Sequence, residues 1–245
     1  MLAPLPLAVA VAGPFVGSYV AATADRLIAG APVWTARSRC AACGRVLRPW
    51  DMVPLASWLV LRGRCRDCGA RIGAHLWLAE LAGGAIGLAA ALAAPGWLAP
   101  VSALFGWALL LLALLDLREQ WLPRIGGWGL AACGLGVSAA LGRETLIAAA
   151  IGATVGWAVL ATLGSVWQRV RGIDGLGEGD PPLLAAAGAW VGWQGLASVV
   201  LIAASTGIVH ALLARGPAPA PPVRVPFGAH LALAMFAVWL AGPLA

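Results

Sequence analysis

The chain has 245 residues, of which 61% are hydrophobic and only 11% charged, and its mean hydropathy is +0.88. Soluble domains run at about 45–50% apolar and about 25% charged residues, so a soluble globular enzyme, a disordered chain and a secreted disulfide scaffold are excluded. The net charge of +6 comes from sixteen Arg and no Lys, half of them between Arg37 and Arg71 and most others in gaps between apolar runs. That pattern belongs to membrane orientation, not to a nucleic-acid-binding face.

Residues 1–22 are apolar, uncharged and long enough to span a bilayer. No positive charge precedes the run, as a signal peptide would require, so it reads as an uncleaved first span, residues 1–24, with its N-terminus outside. A polar segment, residues 25–75, follows. It holds four of the five Cys and is the one stretch long enough to fold as a soluble module. Apolar segments then recur at 76–94, 99–116, 127–141, 145–167, 181–194, 195–214 and 228–244, separated by Gly and Pro. A full span takes about 17–25 residues, which leaves 127–141 and 181–194 short. The stretch 181–214 is either one bent span or two, jointed near Gly192 and Gly195. The expected fold is an all-α polytopic membrane protein with about eight transmembrane helices. Its parts are a first helix (1–24), a cysteine module (25–75) and a membrane domain (76–245). No internal repeat is evident.

Placing the cysteine module in the cytoplasm and alternating the spans tests this count. Fifteen Arg then fall inside, among them Arg26, Arg118, Arg124, Arg169, Arg171, Arg215 and Arg224, and only Arg143 falls outside. The asymmetry satisfies the positive-inside rule.

Within the module, Cys40-Ala-Ala-Cys43 and Cys65-Arg-Asp-Cys68 form two C-x-x-C pairs separated by twenty-one residues. Two such pairs can place four thiolates around one tetrahedral zinc. Gly44 and Gly69 follow them directly, as tight turns require. Four protein ligands leave no open position, so the metal would be structural. Neighbouring Arg residues favour thiolates, and a reducing compartment disfavours disulfides. Two redox pairs or incidental thiols are the other reading. Cys133, alone in an apolar run, reads as a small core residue. His75 adjoins the module but is not needed by a four-Cys metal, and His210 and His230 read as packed or interfacial.

Only ten acidic residues exist. Asp25, Asp51, Asp67 and Glu144 lie in polar segments and read as solvated. Glu80 lies inside the second span, where a carboxylate is costly and points to function by default. It could pair with a loop Arg, help to bind a substrate, or snorkel to the interface. Asp116 ends a Leu-rich run, and Asp180 ends Gly175-Leu-Gly-Glu-Gly-Asp180. The topology puts both at the cytoplasmic membrane face on different helices. Two such carboxyls can divide their protonation, one acting as base and one as acid, and so activate a water and protonate a leaving amine. Gly177 and Gly179 would let a substrate strand approach closely. Balanced helix-end charges, paired with Arg118 and Arg171, are the alternative.

These residues carry a resemblance over nearly the whole chain. Gly17-Ser-Tyr-Val20 with Arg26-Leu27, Cys40-x-x-Cys43, Arg48-Pro-Trp-Asp-Met-Val-Pro54, Cys65-x-x-Cys68, Arg71-Ile-Gly73 and Glu80-Leu81 resemble the N-terminal and cysteine-module signatures of the type IV prepilin peptidases. Leu115-Asp116 with Leu122-Pro123 resembles the first catalytic motif of these GxGD-type membrane aspartic proteases. Gly177-Glu-Gly-Asp180, Leu183-Leu184 and Gly188-Ala-Trp190 resemble the second, and Pro226-Phe-Gly228 resembles a C-terminal signature.

The resemblance implies that Asp116 and Asp180 are catalytic. The substrate would be the leader of type IV prepilins or of type II secretion pseudopilins, cut after a Gly at the cytoplasmic face of the bacterial inner membrane. N-methylation with S-adenosylmethionine follows in many members, although no Gly-rich strand–turn–helix motif is present here to hold that cofactor. Four positions depart from the family pattern, and in the N-terminal signature an expected Asn is absent near Ala21. Pro182 stands where a Lys is usual, and Arg118 and Arg124 stand where acids are usual. Two positive charges near Asp116 would favour its base role. An inactive homologue, or a membrane docking protein of a pilus or secretion system, is the competing reading.

Overall fold

The computed structural model describes residues 4–34, 37–172, 175–214 and 225–242. Among these, the regular structure is helical, with two isolated bridges and no strand. The helices are α1 (Pro4–Ile28), α2 (Ala56–Val60), α3 (Ala74–Ala93), α4 (Leu98–Glu119), α5 (Arg124–Leu141), α6 (Arg143–Arg171), α7 (Asp180–Ala214) and α8 (Phe227–Ala241). A 3₁₀ turn covers Pro49–Met52. Six helices, α1 and α3 to α7, are long and apolar enough to cross a membrane, so this is a multi-pass membrane protein. The chain forms two compact units, 1–111 and 112–245, with the boundary inside α4. Arg215 and Arg224, counted above as inside charges, lie outside the described residues.

In the first unit, α1 and α3 pack antiparallel through glycines. A Cβ on Gly13 would stand 2.6 Å from the Gly83 carbonyl oxygen, one on Gly83 would stand 2.6 Å from Gly17 Cα, and one on Gly87 would stand 2.7 Å from the Val9 carbonyl oxygen. The two main chains therefore touch. Small residues allow this approach, which drives helix association where lipid supplies no hydrophobic contrast. From α4, the buried Trp107 indole donates to the Gly83 carbonyl at 3.0 Å and packs with Val9, Ala90 and Ala103. Helix α1 continues to Ile28, so Asp25 and Arg26 lie on its last turns and not in the following loop.

The second unit is built around the first half of α7. Residues Leu183 to Val191 are almost entirely enclosed. On one side α5 runs parallel to them. Gly127 abuts Pro182 and Leu183, and Gly134 abuts Trp190. The Trp190 indole donates to the Leu130 carbonyl at 2.8 Å, and Ser138 Oγ donates to the Ala189 carbonyl at 3.1 Å. On another side α6 runs antiparallel, with Gly156 against Leu184 and Gly152 against Gly188. Trp190 also meets Trp239 of α8 edge-on, centroids 5.1 Å apart.

The uncertain stretch 181–214 resolves into two helices joined at Gly192, whose φ of 66° and ψ of 177° interrupt the helix. A straight helix would hold Asp180 and His210 about 45 Å apart. Instead, Leu122 packs against both Gly179 and Gly228, and His230, two residues past Gly228, is 3.0 Å from His210. Both ends of α7 therefore lie at one end of the unit, and the chain turns back at Gly192. Among the described residues this makes eight apolar helical segments of more than ten residues. The first half of α7, about 18 Å long, and α8, at 15 residues, are shorter than the roughly 30 Å hydrocarbon core. The short segment 127–141 gains a first turn at Arg124, directly after Pro123. Cys133 corrects an expectation, for it is exposed on α5 and not part of the core.

Candidate active site and metal centre

Asp116 lies on the last turns of α4 and is buried, at 6% exposure. Its Oδ2 accepts the Ala229 N–H at 2.8 Å. That amide is in the first turn of α8, where backbone N–H groups have no partner within the helix. The residue before α8 is Pro226, which offers no side-chain cap. Asp116 supplies the cap from another helix, and its negative charge suits the positive end of the α8 dipole. Gly228 makes this possible, because a Cβ there would stand 3.0 Å from Asp116 Oδ2.

Asp180 is the first residue of α7 and is equally buried, at 7% exposure. Its Oδ2 accepts the Gly177 N–H at 3.1 Å, and its own N–H donates to the Gly177 carbonyl at 3.1 Å. The segment 177–180 is thus a closed turn that fixes the carboxyl. Gly179 presses on the Leu122 main chain, where no side chain fits. Pro181 and Pro182 follow at the start of the helix, where a missing N–H costs nothing. Pro182 fills the space left by Gly127, which gives this departure from the family pattern a packing reason.

The two carboxyls lie within electrostatic reach of one another. Both are held by main-chain N–H groups, and Leu122 packs on the glycines beside both. Of the two Arg expected to bear on Asp116, Arg124 instead reaches Glu178 of the turn, 3.6 Å between Nη1 and Oε2. Both side chains are exposed, so this pair contributes little. Chemically, the arrangement is two sheltered carboxyls, with the charge of Asp116 felt at Asp180. In the sequence Leu122 stands out only as part of the Leu122-Pro123 motif. Its contact with both turns joins residues far apart in sequence and leaves no local signal.

In the first unit, the sulfurs of Cys40, Cys43, Cys65 and Cys68 all lie within 4.8 Å of one another, with Cys40 and Cys68 at 3.8 Å. Tetrahedral thiolate coordination with bonds of about 2.3 Å separates sulfurs by about 3.8 Å, so the four residues could hold one metal ion. The two knuckles are a repeat that was missed in the sequence, Arg39-Cys-Ala-Ala-Cys-Gly44 and Arg64-Cys-Arg-Asp-Cys-Gly69. In each, the first Cys amide pairs across the turn, Cys40 to the Arg45 carbonyl and Cys65 to the Ala70 carbonyl. Gly44 (φ 70°) and Gly69 (φ 72°) close the turns in the left-handed region, where a side chain is strained. Arg39 and Arg64 each donate to the carbonyl of their own turn glycine. Arg45 of one knuckle meets Asp67 of the other at 2.6 Å, and Asp51 is taken by Arg66, so neither acid is simply solvated.

Backbone N–H groups of Cys43 and Ala42 pull the Cys40 thiol down to about 6. The Ala70 amide favours the Cys68 thiolate, but the neighbouring Cys43, Cys65 and Cys40 sulfurs, with desolvation, outweigh it and push Cys68 up to about 12. Four thiolates therefore need a cation among them. His75 pairs with Asp25 at 3.5 Å and stands outside the cluster. Glu80 is buried on α3 and accepts the Ser18 hydroxyl and the Leu55 N–H, each at 2.7 Å. It ties α1 to the module at Leu55, a non-glycine residue with φ of 62°, and has no loop Arg as its hydrogen-bond partner.

Six helices of spanning length make this a multi-pass membrane protein, with two buried carboxyls and a four-Cys cluster, and comparison with known proteins gives its family. Residues 11–94 match the bacterial peptidase A24 N-terminal domain, and residues 103–212 match the type IV leader peptidase family. The prepilin leader peptidase/N-methyltransferase of Burkholderia pseudomallei (strain 1026b) is 44% identical over 180 residues, covering 73% of this chain and 58% of that protein. The protein of the same name from Aeromonas hydrophila is 38% identical over 202 residues, covering 81% and 69%. That of Pseudomonas aeruginosa is 36% identical over 204 residues, covering 80% and 69%. The chain belongs to the type IV leader peptidase family. It spans 58% of the length of the Burkholderia relative. No solved structure matches it.

Proposed function

We propose that the chain is a membrane aspartic endopeptidase that removes the leader of type IV prepilins or type II secretion pseudopilins. The cut falls after a Gly at the cytoplasmic face of the bacterial inner membrane. The observation that carries this is the placement of Asp116 and Asp180, two buried carboxyls within reach of each other, each held by a main-chain amide. In this reading Asp116, capping α8, is the base and takes a proton from water. The hydroxide attacks the scissile carbonyl carbon. Asp180 gives its proton to the leaving amine as the C–N bond breaks. Gly177 keeps the space beside the Asp180 carboxyl free of a side chain, as an extended substrate segment requires, while Gly179 is fixed by its packing on Leu122.

The four-Cys cluster holds structural zinc in this proposal, since thiolate softness and tetrahedral spacing both suit that ion. Zinc fixes the two knuckles and takes no part in the cut. The relatives' names include an N-methyltransferase, so transfer of a methyl group to the new N-terminus belongs to the proposal. The described residues offer S-adenosylmethionine no Gly-rich strand–turn–helix cradle.

The test is leader cleavage of a co-expressed prepilin or pseudopilin in a host lacking its own peptidase, wild type against Asp180→Asn. Cleavage by wild type alone supports the proposal. Absence of cleavage by well-expressed, metal-loaded wild type across several leaders from the same genome would move the reading to an inactive or docking homologue.

A further inference from the structure

The second unit contains a histidine pair that the proposed chemistry does not use. His210 Nδ1, on the second half of α7, and His230 Nε2, on α8, are 3.0 Å apart, with the rings edge-on. His230 Nδ1 lies 3.1 Å from Thr206 Oγ1. The Thr206 hydroxyl directs its own hydrogen to the main-chain carbonyls of Ile202, at 2.8 Å, and Ala203, at 3.1 Å. Toward His230 it is therefore an acceptor, and His230 Nδ1 carries a hydrogen. A neutral imidazole carries one, so His230 Nε2 accepts and His210 Nδ1 donates. The donor chain runs from His210 through His230 to Thr206 and then to the α7 main chain, and it fixes both tautomers.

What this chain of bonds holds is the start of α8. Ala229, whose amide donates to Asp116 Oδ2 at 2.8 Å, is the residue before His230. The His230 ring is also within electrostatic reach of the Asp116 carboxyl. We infer that His230, anchored by His210 and Thr206, is a positioning residue that aims the Ala229 amide at Asp116 and so sets that carboxyl for catalysis. The inference rests on the reading of Asp116 as catalytic.

Two readouts on the full chain in lipid nanodiscs test this. The first is amide hydrogen exchange at Ala229, which needs no substrate. The second is kcat and KM for leader cleavage. His230→Phe should speed exchange at Ala229 and lower kcat, each about tenfold, the scale of one net hydrogen bond, with KM unchanged. His210→Leu should behave the same way. His210→Asn places an amide N–H where Nδ1 stands, so it should keep both readouts near wild type. Unchanged exchange at Ala229 in His230→Phe overturns the inference, as does His210→Asn behaving like His210→Leu. If exchange responds as expected while wild type cleaves no leader, the positioning role stands and the protease proposal fails.

Discussion

Two glycines set how freely the paired carboxyls sit, and adding one methyl group to each probes the site with little else disturbed. In Gly228→Ala the new Cβ would stand 3.0 Å from Asp116 Oδ2, 3.3 Å from its Cγ and 3.1 Å from Leu122 Cδ2, the free end of a side chain that can rotate away. In Gly177→Ala it would stand 3.0 Å from Asp180 Oδ2 and 3.6 Å from its Cγ. Neither glycine has a positive φ, so no backbone strain is added. The contact is a few tenths of an ångström too close, and the carboxyl must yield by that much. In both cases the displaced oxygen is the one that accepts the main-chain amide, at 2.8 Å for Asp116 and 3.1 Å for Asp180. The structural cost is about one weakened hydrogen bond, about 1 kcal/mol, and in α8 it is offset by the better helix propensity of Ala, about 1 kcal/mol. The catalytic cost is larger, because a misplacement of about 1 Å can cost about 100-fold. Each variant should therefore lose about 10- to 100-fold in kcat while its melting temperature moves little. Gly136→Ala, whose Cβ would meet nothing within 4 Å, is the control and should match wild type in both. The assay is cleavage of a purified prepilin by detergent-solubilised enzyme, beside a thermal melt of the same preparation. Gly228→Ala and Gly177→Ala turning over at the control rate would refute the argument that these oxygens need their observed positions.

Other substitutions act on the scaffold. Gly188→Ala puts a methyl group into the Gly152 main chain, so α6 and α7 must separate; loss of folded protein in a size-exclusion profile is the expected outcome. Glu80→Ala strands the Ser18 hydroxyl and the Leu55 amide, and should destabilise the first unit by about 2 kcal/mol, read as earlier proteolysis within residues 37–72. Chelation should free the four thiols for alkylation and loosen the module while the helical circular dichroism signal stays, because the long helices lie outside it. Acidification should release the metal with uptake of protons, as ligation by thiolates requires.

Much of this molecule could be read from local pattern. Spacing alone located the four Cys, since two C-x-x-C turns are each closed within six residues. Apolar run length located α3, α4 and α6. The sequence leaves 181–214 as one bent span or two with Gly192 and Gly195 near the joint, and the break falls at Gly192, where a glycine adopts the positive φ without strain. What escaped depended on partners distant in sequence. Asp116 caps a helix that begins 111 residues later, and nothing around Pro226 announces the missing cap. His210 and His230 look like unremarkable members of two apolar helices until the turn at Gly192 brings them side by side. Cys133 was misjudged because, in a membrane protein, an apolar run does not say which face meets lipid and which meets protein. The repeated Arg-Cys-x-x-Cys-Gly was present in the sequence, but six residues are too few to stand out before the matching hydrogen bonds are seen.

The turn at Gly192 also governs the bookkeeping of sides. A hydropathy count that treats residues 180–214 as one crossing changes the parity of everything downstream. It would deliver α8 to the face opposite Asp116, where the Ala229 amide could not reach it. With the chain turned back, Gly172 and Ala214 share a side. A topology reporter fused after either should give the same signal, whereas one fused after Leu141 should give the opposite signal.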